Sequence, residues 1–441
     1  MGCIASTAAC GACCCCSAAG DACGKCMDPG QLAKIIYASV FIVVSLLTLV
    51  MSYWASELMS WIPNIGNLET GPCTEDAEGG DGDECESALE SSLAVYRMTF
   101  ALFTYHLMLG LAVVNVKDRG ECRAGIHTSW WWAKALLFVV LTVSAFLIPT
   151  PFFVVYGWLA LVGAGAFIIL QMLMLVDFAH TLNESWVSKY EVSEDRKYIA
   201  YLAGSTLTCF ACAVTLVVLM FALQLGPATW VSPFLVTLNV ILCLAITALS
   251  IHPRIQKAER TTPVGLLQAS FVSFYASYLV FGALLDNTDA GGGALETTTI
   301  LIGSFFVILC VGYTAIRISG HEETYFGHEN EESINFLHED TLDIERGGGD
   351  SSVGGGEDEP SGPVAYNYAF FHGVFALGAL YLAMLMTSWA TVSGSDAGAE
   401  NTLSVDQGQA AMWVKICTSW VILGLYLWTV VAPVLLPNRQ W

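Results

Sequence analysis

Ten long apolar stretches recur along this 441-residue chain, and they constrain its fold more than any other feature. A helix needs roughly 20 residues to cross a hydrocarbon core about 30 Å thick. Helices are expected because an open strand would leave unpaired amides in lipid, whereas a barrel would show short alternating segments. The sequence therefore predicts an all-α polytopic membrane protein. Its predicted spans are residues 32–54, 93–116, 130–149, 152–182, 198–223, 230–250, 264–285, 298–318, 365–390 and 410–435.

Lys and Arg occupy only every second short loop, a bias that marks cytoplasmic loops. The intervening loops at 55–92, 150–151, 224–229, 286–297 and 391–409 contain neither residue. We call the side that carries the cations the basic face, and we expect it to be cytosolic, with both termini on it. The chain would then be a multi-pass protein of the plasma membrane or an endomembrane. The basic loops contain Lys117, Arg119, Arg123, Lys189, Arg196, Lys197, Arg254, Lys257 and Arg260.

The formal charge of −22 is concentrated in two loops. Residues 55–92 hold ten acids and residues 319–364 hold thirteen, which argues against nucleic acid as a partner. The second loop contains the run GGGDSSVGGGEDEPSG, which cannot bury a core and is predicted to be a disordered linker or a docking segment. The predicted regions are residues 1–31 (Cys-rich terminus), 32–318 (spans one to eight), 319–364 (acidic loop) and 365–441 (spans nine and ten).

Eight of the sixteen cysteines fall within the first 26 residues. The start Met-Gly-Cys-Ile-Ala-Ser fits N-myristoylation at Gly2, with Cys3 as a neighbouring palmitoylation position. Two CxxC spacings, at residues 10–13 and 23–26, leave zinc as an alternative. Four consecutive cysteines make one tetrahedral site a poor fit, so we expect acylated or reduced thiols, with no metal site and no cofactor.

Cys73 and Cys85 belong to the first loop on the side opposite the basic face. That compartment permits oxidation if the basic face is cytosolic. We therefore predict a Cys73–Cys85 disulfide.

The fourth run, residues 152–182, has 31 residues and would be about 46 Å long as a helix. Because this length exceeds the bilayer core, the helix must tilt, protrude or be held by its neighbours. Gly157, Gly163 and Gly165 would allow close helix packing along its first half.

Asp177, His180 and Glu184 lie at i, i+3 and i+7, which places them on one face near the end of this helix. Ionisable groups at membrane depth are expensive and are usually functional. Two interpretations remain open: the residues bind lipid headgroups, or they form a structural polar network.

Other ionisable residues within the spans have simpler interpretations. Arg97, Lys134 and Lys415 lie near span ends, where long cations can snorkel to the interface. His106 and His372 are expected to be buried histidines with satisfied hydrogen bonds. The sequence contains no GxxxxGKS, HExxH or GxSxG motif, so we predict no catalytic residue and no ATP-driven transport.

Four segments resemble signatures of the serine incorporator family: LMLVDFAHTLNESWV at 173–187, YNYAFFH at 366–372, WVKICTSW at 413–420 and LYLWTVVAPVLLPNR at 425–439. The resemblance covers nearly the whole chain and implies two helical bundles joined by a long diagonal fourth helix. It places the matching polar positions at Asp177, His180, Asn183 and Glu184, without implying catalysis.

The resemblance also implies a role in membrane lipids, with phospholipids as the main partner. Our leading hypothesis is passive phospholipid scrambling past the fourth helix. A second is an accessory or carrier protein that helps serine enter phosphatidylserine and sphingolipids, with lipid-synthesis enzymes as partners. A third is a structural membrane scaffold.

Overall fold

The computed structural model describes residues 29–59, 82–226, 230–256, 265–285, 293–317, 364, 366–389, 391–395, 402–406 and 409–435. The described helices are α1 (Pro29–Met59), α2 (Gly82–Ala112), α3 (Ala124–Thr128), α4 (Trp131–Leu147), α5 (Thr150–Ser193), α6 (Lys197–Ala222), α7 (Val231–Ile251), α8 (Pro253–Gln256), α9 (Leu266–Leu285), α10 (Gly293–Arg317), α11 (Tyr368–Met386) and α12 (Gln409–Leu435).

Each predicted span corresponds to one long helix, which confirms the all-α polytopic fold. Eight of these helices are long and apolar enough to cross a membrane by length and composition. The other two are α2, with 31 residues, and α4, an apolar helix of 17 residues. Between the last two spans, strands β1 (Thr391–Ser395) and β2 (Thr402–Asp406) form an antiparallel hairpin that the sequence did not indicate.

The helices form two bundles that share α5. In the first bundle, α1, α4 and α11 pack around α2; in the second, α6, α7 and α12 pack around α9. Helix α5 contacts α2 and α11 on one side and α6, α9 and α12 on the other. Helix α10 also lies against α5 and against α1 and α11 of the first bundle. This is the architecture that the resemblance implies.

Helix α5 has 44 residues, so it is about 66 Å long and continues well beyond the predicted end at 182. The apolar run marks only the part in lipid. The following segment, NESWVSKYEVS, has no Gly or Pro to end a helix, so α5 continues onto the basic face. It ends where Glu194 adopts a left-handed backbone with φ of 52°.

The three glycines of α5 allow close helix contacts, as predicted. A Cβ atom at Gly157 would lie 3.3 Å from the Tyr96 hydroxyl of α2, and one at Gly165 would lie 3.2 Å from Val414 Cγ1 of α12. A Cβ atom at Gly163 would clash with Leu380 of α11. The glycines therefore let both bundles approach one helix.

Several predictions fall outside the described residues. They concern the acylation of Gly2 and Cys3, the Cys-rich terminus and nearly all of the loop 319–364. Cys73 is also outside, and the side chain of Cys85 is not described, so their disulfide remains a prediction.

Candidate functional site

The first candidate site is the α5 cluster, defined as Asp177, His180, Asn183 and Glu184. Asp177 is half-buried, and its Oδ2 accepts a short hydrogen bond from the hydroxyl of Tyr313 on α10. The Tyr313 hydroxyl also lies 3.3 Å from Thr181 Oγ1. Asp177 thus joins α5 to the end of α10 that leads to the basic face.

His180 joins α5 to a different helix. Its Nδ1 lies 3.0 Å from the amide nitrogen Nε2 of Gln268, at the start of α9. An amide nitrogen can only donate, so His180 Nδ1 accepts and its proton is on Nε2. The other amide atom, Gln268 Oε1, is buried and has no hydrogen-bond partner. It is an unused acceptor beside the α5 cluster.

The remaining two cluster members lie at its margin. Asn183 is half-buried, and its Oδ1 lies 3.6 Å from the position of a Cβ at Gly265, just before α9. Glu184 is exposed. The structure therefore places Asp177, His180 and Asn183 along the contacts with α9 and α10, and Glu184 on the surface beyond them.

This arrangement is rich in hydrogen-bond acceptors. Carboxylate oxygens come from Asp177 and Glu184, and amide oxygens come from Asn183 and Gln268. Such a set can bind a group that donates several hydrogen bonds and carries positive charge, such as a primary ammonium. No group of three or more His, Cys, Asp or Glu residues within the described ranges could hold a metal ion.

A second polar cluster, which the sequence analysis missed, lies inside the first bundle. We call it the histidine chain: His106 of α2, His372 of α11, His127 of α3 and Tyr366 just before α11. Their ring contacts are His106 Nδ1 to His372 Nδ1 at 3.1 Å, His372 Nε2 to His127 Nδ1 at 3.1 Å, and His127 Nε2 to the Tyr366 hydroxyl at 2.6 Å. All four side chains are buried.

The hydrogen bonds of the histidine chain share one direction. The Tyr366 hydroxyl donates to the carbonyl oxygen of Gly30 at 3.3 Å, so it accepts from His127 Nε2–H. His127 then accepts at Nδ1 from His372, which accepts in turn from His106. This leaves His106 Nε2, which is buried without a partner, as a lone-pair acceptor. One hydroxyl thus determines the tautomers of three histidines.

Cations surround the end of the chain near the basic face. The Lys134 ammonium and the Tyr37 hydroxyl both donate to the carbonyl oxygen of His127, at 2.8 and 3.1 Å. Lys34 Nζ lies 3.8 Å from the centre of the Tyr366 ring. Burial, with the nearby charges of Lys134 and Lys34, holds the pKa of His127 well below its ordinary value. The histidine chain thus connects α2, α3 and α11 through buried hydrogen bonds.

The buried cations differ from the sequence prediction. Lys134 and Lys415 are 5% and 3% exposed, and each lies over a tryptophan ring, Trp131 and Trp389 respectively. They pack inside the protein because these span ends face neighbouring helices. The position of a residue along a span does not show whether its side chain faces lipid or a neighbouring helix.

Comparison with known proteins gives one consistent result. The family described as "Serine incorporator (Serinc)" matches residues 3–439. A "Probable serine incorporator" of Dictyostelium discoideum is 34% identical, with 92% of this chain and 94% of the relative covered. "Serine incorporator 2" of Bos taurus is 30% identical, with 98% of this chain and 99% of the relative covered. With the two bundles around α5, these matches show that the chain belongs to the serine incorporator family.

Proposed function

We propose that the protein moves phospholipids between leaflets without ATP, and that headgroups pass the α5 cluster. The observation that carries the proposal is the pair of contacts Asp177 to Tyr313 and His180 to Gln268. They bring half-buried polar groups to the junction of α5 with α9 and α10. A headgroup that enters the hydrocarbon core needs polar groups beside it, and Asp177 and His180 supply them near the basic-face end of the apolar part of α5.

The chemistry of the α5 cluster favours a headgroup that carries a primary amine. The ammonium groups of phosphatidylserine and phosphatidylethanolamine donate three hydrogen bonds, which suits the carboxylate of Asp177 and the unused oxygen of Gln268. The bond from Tyr313 would be exchanged for one from the ammonium, so the carboxylate need not lose a partner during passage.

The test uses liposomes that contain the folded protein and a fluorescent phosphatidylserine, with no nucleotide. Dithionite quenches only the outer leaflet unless lipid exchanges. We expect quenching beyond half for the unmodified protein and a rate about tenfold or more lower for Asp177→Asn, because hydrogen bonds to charged groups contribute about 1.5–3 kcal/mol. Glu191→Gln, at an exposed carboxylate on the same helix, is the matched control and should retain the rate.

Tyr313→Phe separates the lipid role from a structural one. It removes the hydroxyl that holds Asp177 but leaves the carboxylate, so a lipid-binding carboxylate should still support exchange. If Asp177→Asn and Tyr313→Phe slow exchange equally, the pair is structural and the site assignment is wrong.

The relatives are named serine incorporators, which favours a second candidate, in which the protein assists the incorporation of serine. The family resemblance implies phosphatidylserine and sphingolipids as the lipids that receive it. Free serine also carries an ammonium, so the same acceptors suit it. Quenching that stops at half in folded protein would favour this role. Labelled serine should then enter lipids more slowly in cells that lack the protein, with lipid-synthesis enzymes as its partners.

A scaffold role would instead depend on the acidic loop. We expect replacement of residues 319–361 by a Gly/Ser linker to leave lipid exchange within about twofold of normal. The linker must end before Val364, since Val364 N–H donates to the Lys117 carbonyl at 3.1 Å. Loss of exchange in this variant, with its thermal unfolding unchanged, would show that the loop takes part.

A further inference from the structure

Arg97 is the most isolated buried charge in the described part of the chain. It lies on α2, is 3% exposed, and its Nε and Nη2 have no hydrogen-bond partner. Its guanidinium carbon lies 5.3 Å from the centre of the Phe153 ring of α5. We predicted that this side chain would snorkel to the interface, but it is buried at the junction of α2 and α5.

A guanidinium in this position needs an anion. A cation–π contact contributes about 0.5–2 kcal/mol, whereas removing an ion from water costs several kcal/mol. None of the described carboxylates forms an ion pair with Arg97. Glu90, on the same helix, is seven residues away, which is about 10 Å along the axis. The anion must therefore come from outside the described residues.

The depth of Arg97 along α2 limits where such an anion could bind. It lies fifteen residues before Ala112, where α2 ends next to the basic face, and so about 22 Å from that end. In a core about 30 Å thick, this is close to the headgroups of the opposite leaflet. The adjoining start of α5 exposes Phe152 and Val155 by 43% and 69%, so lipid borders the junction.

We propose that Arg97 binds the phosphate group of a phospholipid in the leaflet opposite the basic face. A guanidinium presents two parallel N–H donors that match phosphate oxygens, and Nε and Nη2 are the pair left unpaired here. The rings of Phe100 and Phe152, whose centres lie 5.1 Å apart, offer an apolar wall for the glycerol and acyl chains. This site is separate from the α5 cluster, and its test does not depend on lipid exchange.

The test measures binding of dioctanoyl phosphatidylcholine to delipidated protein in detergent, by native mass spectrometry and by the rise in unfolding temperature. Dioctanoylglycerol has the same chains without phosphate, and inorganic phosphate has no chains. We expect only the phospholipid to bind the unmodified protein. The apparent affinity for the phospholipid should fall about tenfold or more in Arg97→Met. It should fall less in Arg97→Lys, which keeps the positive charge but loses the two parallel N–H donors.

Two features keep this test decisive. Arg97→Met should fold, since replacing a buried charge with an apolar side chain of similar length is often neutral or stabilising. Arg119→Gln, at an exposed arginine of the basic face, should bind phospholipid as the unmodified protein does. The proposal is overturned if dioctanoylglycerol binds equally, if inorganic phosphate alone gives the same shift, or if Arg97→Met leaves binding unchanged. It is also overturned if no probe binds, since the counter-ion would then belong to the chain itself.

Discussion

Replacing His372 with alanine should destabilise the protein by about 2–4 kcal/mol. His372 is the central member of the histidine chain, and both of its ring nitrogens bond to other buried histidines. Its removal leaves His106 Nδ1 and His127 Nδ1 without partners, each at a cost of about 1–3 kcal/mol. Interhelical hydrogen bonds in membrane proteins average less than this, because the unfolded state in lipid also finds partners, so we place the estimate at the lower end.

The measurement is thermal unfolding of the purified protein in detergent. His252→Ala changes an exposed histidine beside α8 and should stay within about 0.5 kcal/mol of the unmodified protein. Tyr366→Phe removes the hydroxyl that accepts from His127 and donates to the Gly30 carbonyl, and it should cost about 1–2 kcal/mol. His372→Ala and Tyr366→Phe disturb the same connected chain. The double variant should therefore cost less than the sum of these two single variants. Additive effects would show that the three histidines do not act as a unit.

The pattern of membrane spans was predictable because the hydropathy of each span depends only on residues that are neighbours in the sequence. Each run of about 20 apolar residues corresponds to one helix. The two large boundary errors, at the start of α2 and at the end of α5, arose because apolarity marks the part of a helix in lipid and not the length of the helix. The polar face of α5 was also visible, since i, i+3 and i+7 spacing requires no tertiary information. These inferences use only neighbours in sequence.

The partners of those residues were not predictable. Tyr313 is 136 residues from Asp177, and Gln268 is 88 residues from His180, so only the packing of α5 with α9 and α10 brings them together. His127 was missed because its sequence position, between two predicted spans and near several cations, is one where a histidine normally meets water. The interpretation of Arg97 as a snorkelling residue was wrong because depth along a helix does not show which face is buried.

We expect a larger side chain at Gly163 to destabilise the protein more than at any other glycine of α5. A Cβ atom there would lie 3.1 Å from Leu380 Cβ and 3.2 Å from its Cγ, and closer still to Cδ1. Gly163→Ala can be absorbed if Leu380 changes rotamer, at a cost of about 1–2 kcal/mol. Gly163→Leu adds four carbons between two buried helices and should cost about 3 kcal/mol or more, or prevent folding, because packed cores cannot expand locally.

Gly424 of α12 provides the matched control for this prediction. A Cβ atom there meets nothing within 4 Å, and the residue borders an apolar cavity of about 350 Å³ between α7 and α12. Gly424→Leu should therefore leave the unfolding temperature unchanged or raise it slightly, since leucine favours helix over glycine. If both leucine variants behave alike, crowding at α5 is not the cause.

Leu380→Ala tests whether the contact itself is responsible. Alone it should cost about 2–5 kcal/mol, because it leaves a cavity in a buried interface. Combined with Gly163→Ala it should cost less than the sum of the single changes, since the new methyl group occupies space that the leucine has left. If the double variant regains stability but not lipid exchange, the packing of α11 against α5 itself matters for function. Rescue of both would mean that α5 serves exchange mainly by keeping the two bundles together.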